Sequence, residues 1–291
     1  MPELPEVEVT RRAIEPHLVG RRIAQVTTTR PSYFFLTAPS LLKKALTGRR
    51  VLSLERHGKY LLAHLDDGKR LLLHLGMTGQ LFASGSKSVR LLSAKRRRAL
   101  GPEEQPAFRP DAHTHLQLRF EGDGPELYFR DMRKFGKVAL LEAGADDPRL
   151  DKLGVDALVA KGAHLHEAAQ KRRTPIKSLL LDQSVIAGIG NIYADEALFL
   201  AGILPTRRAD RVTQKECDAI VDAARRVLRQ AIRAGGSSID DFVRPDGSDG
   251  GYQHARRVYA REGETCGRCG GTIQRVVIGQ RSAHYCDSCQ H

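Results

Sequence analysis

The chain of 291 residues lacks tryptophan, is only 5% aromatic and has no run of 18 or more uncharged apolar residues. A membrane-spanning helix needs such a run, so we expect no span. Residues 1–12 carry acidic side chains and no apolar core of the kind that a secretory signal has, so we expect no signal either. These absences favour a soluble, cytoplasmic protein.

Acidic residues are too few to balance the basic ones. Lys and Arg number 47 against 34 Asp and Glu, which gives a net charge of +13 and a pI near 9.8. Such an excess is typical of nucleic-acid-binding proteins, although a basic surface without a partner has the same composition. With 41% hydrophobic residues the chain can form a core, and its length predicts about two domains and a smaller module.

Cysteines are few but strongly patterned. Two pairs with two-residue gaps, Cys266 with Cys269 and Cys286 with Cys289, are separated by 16 residues. That spacing predicts a zinc ribbon in which a hairpin brings four thiolates to one tetrahedral ion. Two disulfides are the alternative, which a reducing compartment disfavours. Cys217 stands alone in a helical pattern and is interpreted as a small buried apolar side chain.

The first half of the chain changes from a helical to a strand pattern. Apolar residues at helical spacing predict a helix over residues 3–20. Two hairpins with Gly-containing turns are predicted over residues 60–75 and 115–130. Between them, residues 84–110 predict a long surface loop with the basic run Lys95–Arg98 at its middle. Such a run is either solvated or an arm that contacts DNA.

The second half of the chain is mostly helical. Three helices are predicted, over residues 175–181, 192–200 and 213–234. The last begins at a capping box formed by Thr213 and Glu216.

Two features of this half could bind phosphate. Gly188 and Gly190 precede a helix that begins near Asn191, and backbone N–H groups at a helix start bind phosphate. A plain connecting turn has the same pattern. Arg281 and two other arginines of the zinc module suit DNA phosphates, though many ribbons bind protein instead.

Pro2 follows the initiator methionine, whose removal would expose a secondary amine. An α-amino group titrates near ~8 and a lysine near ~10.4, so much more of the former is neutral at pH 7. The amine is therefore a ready nucleophile for a Schiff base, and Glu3 and Glu6 place carboxylates for proton transfer beside it. Most Met–Pro starts carry no chemistry, so this hypothesis depends on the other motifs.

Six motifs occur in an order that matches one enzyme family. They are Met1–Glu8, Gly58–Leu61, His74–Met77, Asp131–Gly136, Gly188–Ala194 and the four-cysteine finger. With them the sequence resembles the bacterial formamidopyrimidine-DNA glycosylases, which excise 8-oxoguanine and ring-opened purines. The resemblance runs from residue 2 to residue 289, essentially the whole chain.

The resemblance implies an α+β multidomain fold. Its parts are an N-terminal β-sandwich flanked by helices over residues 1–150, a helix–two-turn–helix domain over residues 151–245, and a four-cysteine zinc ribbon with its preceding loop over residues 246–291. It also implies one structural Zn²⁺, damaged double-stranded DNA as the partner, and a monomer. We expect a bacterial cytoplasmic enzyme that reaches the nucleoid through DNA.

The resemblance implies catalytic roles for four residues. Pro2 resembles the nucleophile that attacks the deoxyribose C1′, and Glu3 resembles the acid that helps to open the sugar ring. Lys59 is similar to the lysine assigned to β-elimination. Arg281 matches the finger arginine assigned to δ-elimination.

Seven further residues are implied to contact DNA. Met77, Arg133 and Phe135 resemble the side chains that fill the void left by an extruded base. Without the resemblance, Met77 and Phe135 would be interpreted as core residues. The positions that resemble DNA-backbone contacts are His74, His113, Arg172 and Asn191.

Two other functions stay open. An endonuclease VIII-type enzyme for oxidised pyrimidines would share the nucleophile and the helix–two-turn–helix, but the residues after Pro2 and the motif Asp131–Gly136 favour the purine-directed branch. A non-catalytic damage-binding zinc protein would keep the scaffold, but Glu3 and Lys59 are intact here.

The salt dependence of DNA affinity tests the basic run Lys95–Arg98. Each neutralised phosphate contributes about −0.9 to the slope of log affinity against log salt concentration. Four cations match family positions and together imply a slope of roughly −4: Lys59, Arg133, Arg172 and Arg281. We expect the run to be solvated, so that replacing its four residues with Ser leaves the slope unchanged in fluorescence-anisotropy titrations. A slope flatter by about 2 to 3 would show that the run lies on the duplex.

Overall fold

A computed structural model describes residues 2–87, 107–239 and 242–291, which form two units. Unit 1 comprises Met1–Asp147 and Ala234–Gly251, and unit 2 comprises Pro148–Arg233 and Tyr252–His291. The basic run Lys95–Arg98 lies outside the described residues. Within the described part of the chain, no helix is both long and apolar enough to cross a membrane.

Unit 1 begins with helix α1 (Leu4–Leu18), as predicted, and its last turn is followed by Gly20 at a φ of +81°. Strand β1 (Ile23–Thr28) and helix α2 (Pro39–Leu46) come next. The remaining strands are β2 (Val51–His57), β3 (Tyr60–Leu65), β4 (Arg70–His74), β5 (Gly79–Ala83), β6 (Thr114–Phe120), β7 (Leu127–Asp131) and β8 (Lys137–Leu141). The two predicted hairpins, β3–β4 and β6–β7, are confirmed.

The strands form two antiparallel sheets, in the orders β1–β6–β7–β5 and β2–β3–β4–β8. Side chains from both sheets meet in one apolar core, for example Phe129 of β7 and Leu73 of β4. Ile14 of α1 and Leu42 of α2 complete that core. Burial of these apolar surfaces on both sides explains why the sheets stack, and it confirms the predicted β-sandwich with flanking helices.

The segment Ala234–Gly251 belongs to unit 1, although the sequence analysis divided it between the helical domain and the zinc module. Ser237 donates its backbone N–H to Glu6 Oε1 at 2.8 Å, and Val243 packs in an aromatic cluster. These contacts join residues far apart in the chain, which local periodicity does not reveal. The three-domain division therefore stays a prediction beside the two units seen here.

Unit 2 is helical and ends in a small two-stranded ribbon. Its elements are α3 (Pro148–Asp151), β9 (Val155–Asp156), α4 (Gly162–Gln170), α5 (Ile176–Leu181), β10 (Ile186–Ala187), α6 (Asn191–Ala201), α7 (Gln214–Arg233), β11 (Gln274–Ile278) and β12 (Arg281–Tyr285). The three predicted helices are confirmed as α5, α6 and α7. The turns between α5 and α6 form the predicted helix–two-turn–helix.

Helix α7 begins at the predicted capping box. Thr213 donates its N–H to Glu216 Oε2 at 2.8 Å, and Glu216 donates its N–H to Thr213 Oγ1 at 3.3 Å. Cys217 is fully buried on the apolar face of α7. Burial, assisted by the neighbouring acids, raises the pKa of the Cys217 thiol to about 12, so it stays protonated. The interpretation of Cys217 as a small apolar side chain is confirmed.

Candidate active site and zinc centre

Pro2 and Glu3 are buried at the start of α1, where the sequence predicts the nucleophile and an acid. Glu3 donates its backbone N–H to Glu6 Oε2 at 2.9 Å, while the other Glu6 oxygen accepts the N–H of Ser237. Glu6 is itself buried, so its two oxygens tie the first turn of the helix to a segment from the far end of unit 1. This bracing holds the first residues of the chain in a defined position.

Lys59 and His74 lie on adjacent strand ends of the second sheet. Lys59 occupies the β2–β3 turn and is 8% exposed, and His74 ends β4 with its ring centroid 4.6 Å from that of Tyr60. Burial, and then the charges of Lys59 and Lys137, lower the pKa of His74 to about 4. His74 is therefore a neutral imidazole at physiological pH, in agreement with a contact that carries no charge.

Asp131 supports two loops that carry predicted DNA-contacting residues. Its fully buried carboxylate accepts the hydroxyl of Thr78, the N–H of Arg133 at 3.1 Å and the N–H of Gly136 at 2.7 Å. A Cβ on Gly76 would lie 2.4 Å from the backbone N of Gly136, so the two loops touch backbone to backbone. The loop after β4 and the loop after β7 thus form one rigid support.

That support presents an aromatic and a cationic side chain to solvent. Phe135 is 40% exposed, and the Arg133 guanidinium lies 4.6 Å from the centre of its ring. Met77 is half-buried on the neighbouring loop. An exposed aromatic held on a braced loop is not a core residue, and its position agrees with a side chain that enters DNA.

His113 lies beside Asp131, because the backbone carbonyl of His113 accepts the N–H of Asp131 at 2.9 Å. Its own N–H donates to Asp111 Oδ1 at 3.0 Å, and its side chain is half-buried. In unit 1, the structure therefore brings His113 next to the strand end that carries Arg133 and Phe135.

In unit 2, the side chain of Gln183 shapes the glycine turn before α6. Its Oε1 accepts the N–H of Gly188 at 2.9 Å, and its Nε2 donates to the carbonyl of Ile189 at 2.8 Å. Gly188 has a φ of +108°, a conformation that disfavours other residues. The Gln183 side chain therefore holds this turn in a defined conformation.

Asn191 follows this turn directly, whereas Arg172 lies before α5. Asn191 is the first residue of α6, and its buried Oδ1 has no hydrogen-bond partner among the described residues. Arg172 is exposed and pairs with Asp182. Arg281 is exposed at the start of β12. The structure places these three polar residues separately in unit 2: Asn191 starts α6, Arg172 follows α4 and Arg281 starts β12.

The four cysteines of the ribbon converge. Their sulfurs all lie within 4.8 Å of one another, with Cys266 Sγ 3.9 Å from Cys289 Sγ and Cys269 Sγ 3.5 Å from Cys286 Sγ. A zinc–sulfur bond of about 2.3 Å places tetrahedral sulfurs about 3.8 Å apart, whereas a disulfide needs about 2.05 Å. All four are free thiols, so the donor set fits one structural zinc and the disulfide alternative is wrong.

Families of known proteins match three successive parts of the chain. Three family models match: the formamidopyrimidine-DNA glycosylase N-terminal domain over residues 1–138, its H2TH domain over residues 153–243, and a zinc finger found in FPG and IleRS over residues 263–291. The Paracoccus denitrificans formamidopyrimidine-DNA glycosylase is 44% identical over 296 residues and covers all of both chains. The chain belongs to the formamidopyrimidine-DNA glycosylase family.

Solved structures agree with this membership. The MutM (FPG) protein from Thermus thermophilus superimposes with a TM-score of 0.81 at 36% identity, over 99% of this chain and 98% of that one. The Lactococcus lactis Fpg in complex with DNA containing an abasic site gives a TM-score of 0.83 at 33% identity, with both chains fully covered.

Sequence analysis of this glycosylase-family chain missed several groups that hold the site. Asp131 begins a quoted motif and Gln183 precedes another, but no local pattern revealed what their side chains hold. Lys177, Asp195 and Glu196 gave no signal, because their partners lie far away in the sequence.

Zinc removal tests the ribbon. The ribbon has only two short strands, β11 is mostly exposed, and two of the few buried apolar side chains at its base are the cysteines Cys266 and Cys286, so we expect the ribbon to need its ion to fold. We expect Cys266→Ser to lose zinc and weaken DNA binding by about tenfold or more, while the β-sandwich keeps its cooperative melt. Cys217→Ala, outside the cluster, is the control and keeps one zinc per chain. Wild-type binding by zinc-free protein would contradict this expectation.

The pKa of His74 predicts a pH dependence of stability. Its folded pKa of about 4 lies below the ordinary 6.5, so the unfolded chain takes up a proton as pH falls while the folded chain does not. His74 therefore contributes fully to stability above about pH 6.5, and about 2 kcal/mol is lost by pH 5. Urea unfolding at pH 7.5 and 5 should show a smaller loss for His74→Gln. An NMR titration of the His74 ring near pH 6.5 would contradict the assignment.

Proposed function

We propose that this protein is a base-excision-repair DNA glycosylase with AP lyase activity, which removes formamidopyrimidines and 8-oxoguanine from double-stranded DNA. Family membership supports this, as do the name of the Paracoccus denitrificans relative and the abasic-site DNA bound by the Lactococcus lactis relative. The observation that carries the proposal is the buried start of α1, where Pro2 directly precedes Glu3, whose backbone N–H is held by Glu6.

The first chemical step is displacement of the damaged base. The amine of Pro2, exposed once Met1 is removed, attacks C1′ of the deoxyribose, and the bond from C1′ to the base breaks. Glu3 donates a proton that helps to open the sugar ring, leaving an iminium between Pro2 and C1′. The amine gives up its single N–H proton, which balances the departing base, and the iminium then has no N–H left to lose, so it stays cationic.

Strand cleavage follows from the same intermediate. The iminium withdraws electrons and acidifies the C2′ proton, so its removal expels the phosphate on the 3′ oxygen as the C3′–O bond breaks. A second elimination breaks the C5′–O bond and expels the 5′ phosphate. We assign the first elimination to Lys59 and the second to Arg281, with the bound zinc serving structure alone.

Recognition requires the damaged base to leave the helix, which costs roughly a few kcal/mol and leaves a void. We assign the filling of that void to Met77, Arg133 and Phe135, which the Asp131-braced loops present together. We assign the contacts with DNA phosphates to the side chains of four residues: His74, His113, Arg172 and Asn191. We further propose that the enzyme acts as a monomer in the bacterial cytoplasm, at the nucleoid.

Covalent trapping tests the nucleophile. Borohydride reduces the iminium, so incubation with 8-oxoguanine opposite cytosine should yield a stable protein–DNA adduct. Pro2→Gly should nearly abolish that adduct because a primary amine replaces the proline ring, whereas the surface variant Pro31→Gly should trap as wild type does. Mass spectrometry should place the adduct on the first residue of the mature chain.

Three outcomes would contradict the proposal. An adduct on Lys59 would move the nucleophile to another residue. Faster trapping on duplexes with an oxidised pyrimidine than on those with 8-oxoguanine would instead indicate an endonuclease VIII-type enzyme, and no adduct on either would indicate a non-catalytic binding protein.

A further inference from the structure

A fully buried ion pair lies in unit 2 and takes no part in the proposed chemistry. Lys177 on α5 and Asp195 on α6 both have side chains that are 0% exposed, and Lys177 Nζ lies 2.6 Å from Asp195 Oδ1. Removing two charges from water costs several kcal/mol per ion, so such a pair is stable only where further hydrogen bonds satisfy it.

Those further hydrogen bonds lead to the zinc ribbon. Asp195 Oδ2 accepts both the backbone N–H of His284 at 2.9 Å and its ring Nδ1 at 3.0 Å. Lys177 Nζ donates to the carbonyl of Ser282. We call these groups the Lys177–Asp195–His284 network. It joins α5 and α6 to two alternate residues of β12.

The network lies immediately beside Arg281. Arg281 begins β12 and directly precedes Ser282, whose carbonyl Lys177 binds. Gly279 and Gln280 form the two-residue turn before it, with φ values of +53° and +63° that match a tight hairpin turn. Arg281 therefore lies between a tight turn and Ser282. Fixing the position of Ser282 leaves the backbone of Arg281 little freedom.

Zinc alone does not fix the tip of the hairpin. Arg281 precedes the ligand Cys286 by five residues, which in an extended strand is about 16 Å. At the tip, Ile278 is the buried apolar side chain beside the turn, at 6% exposure, whereas Val277 is 60% exposed and Arg281 is also exposed. The Lys177–Asp195–His284 network supplies a polar anchor at that place.

We propose that Lys177, acting through Asp195 and His284, is a positioning residue that holds Arg281 for the second elimination. This inference rests on the role proposed above for Arg281. Lys177 does not touch DNA in this scheme. It sets where the Arg281 guanidinium meets the phosphate, while formation of the Pro2 iminium does not depend on it.

The test uses full-length, zinc-loaded protein and duplex DNA with an abasic site, and measures the ratio of β,δ-product to β-product. Arg281→Ala is the reference. We expect Lys177→Met to lower the ratio by about tenfold, as Arg281→Ala does, because a misplaced group loses much of its effect. Borohydride trapping at Pro2 should stay at the wild-type level. Lys215→Met removes one exposed charge from the same unit and should leave the ratio unchanged.

The double variant Lys177→Met/Arg281→Ala separates positioning from general damage. If Lys177 acts through Arg281, the double variant is no worse than Arg281→Ala alone. Additive losses, or an unchanged ratio in Lys177→Met, would overturn the proposal. Hydrogen exchange of the Ser282 and His284 amides should also rise in Lys177→Met while zinc stays bound, and unchanged exchange would overturn it as well.

If Lys177→Met does not fold, His284 decides the question. His284→Asn keeps a side-chain donor near Asp195 and should retain most of the product ratio, whereas His284→Ala should lose it. Equal ratios in the two variants would overturn the proposal. The absence of any adduct with the wild-type chain would refute the proposed function. Hydrogen exchange at Ser282 and His284 would then still test whether the network anchors β12. A normal ratio in Arg281→Ala would refute both the role of Arg281 and its positioning.

Discussion

Buried carboxylates that accept backbone N–H groups from distant segments hold the functional parts of this protein in place. A carboxylate removed from water is stable only where several donors replace its hydration, so each one fixes the segments that supply them. Loops without regular hydrogen bonding thereby acquire a defined position. Glu6, Asp195 and Glu196 act in this way. Asp131 accepts backbone N–H groups of its own loop and the hydroxyl of the distant Thr78.

Glu196 shows how much one such group can organise. Its carboxylate accepts the backbone N–H groups of Arg257, Val258 and Tyr259 at 2.9 to 3.0 Å, and it is fully buried. These three residues belong to the segment that leads into the zinc ribbon. Together with Asp195, its neighbour on α6, Glu196 ties both the approach to the ribbon and strand β12 to one helix.

Exposed and buried groups have different roles in this protein. The side chains that we propose contact DNA, such as Arg133, Phe135 and Arg281, are exposed. They lie on backbone segments that buried groups hold in position. The buried groups, such as Asp131 and Lys177, are removed from water and hold backbone segments in place. Since positioning errors of an ångström reduce catalysis strongly, the buried layer is as necessary to the proposed reaction as the exposed one.

Local patterns in the sequence determined the helices α1, α5, α6 and α7, the two hairpins and the four zinc ligands, because each depends on residues within a few positions of one another. The motifs also identified the family, and the site residues to which they point stay predictions. Only the tertiary structure decided what braces them. Thr78 meets Asp131 across 53 positions, His284 meets Asp195 across 89 and Ser237 meets Glu6 across 231. Such pairings arise when a desolvated charge finds donors during packing, and no periodicity in the chain records them.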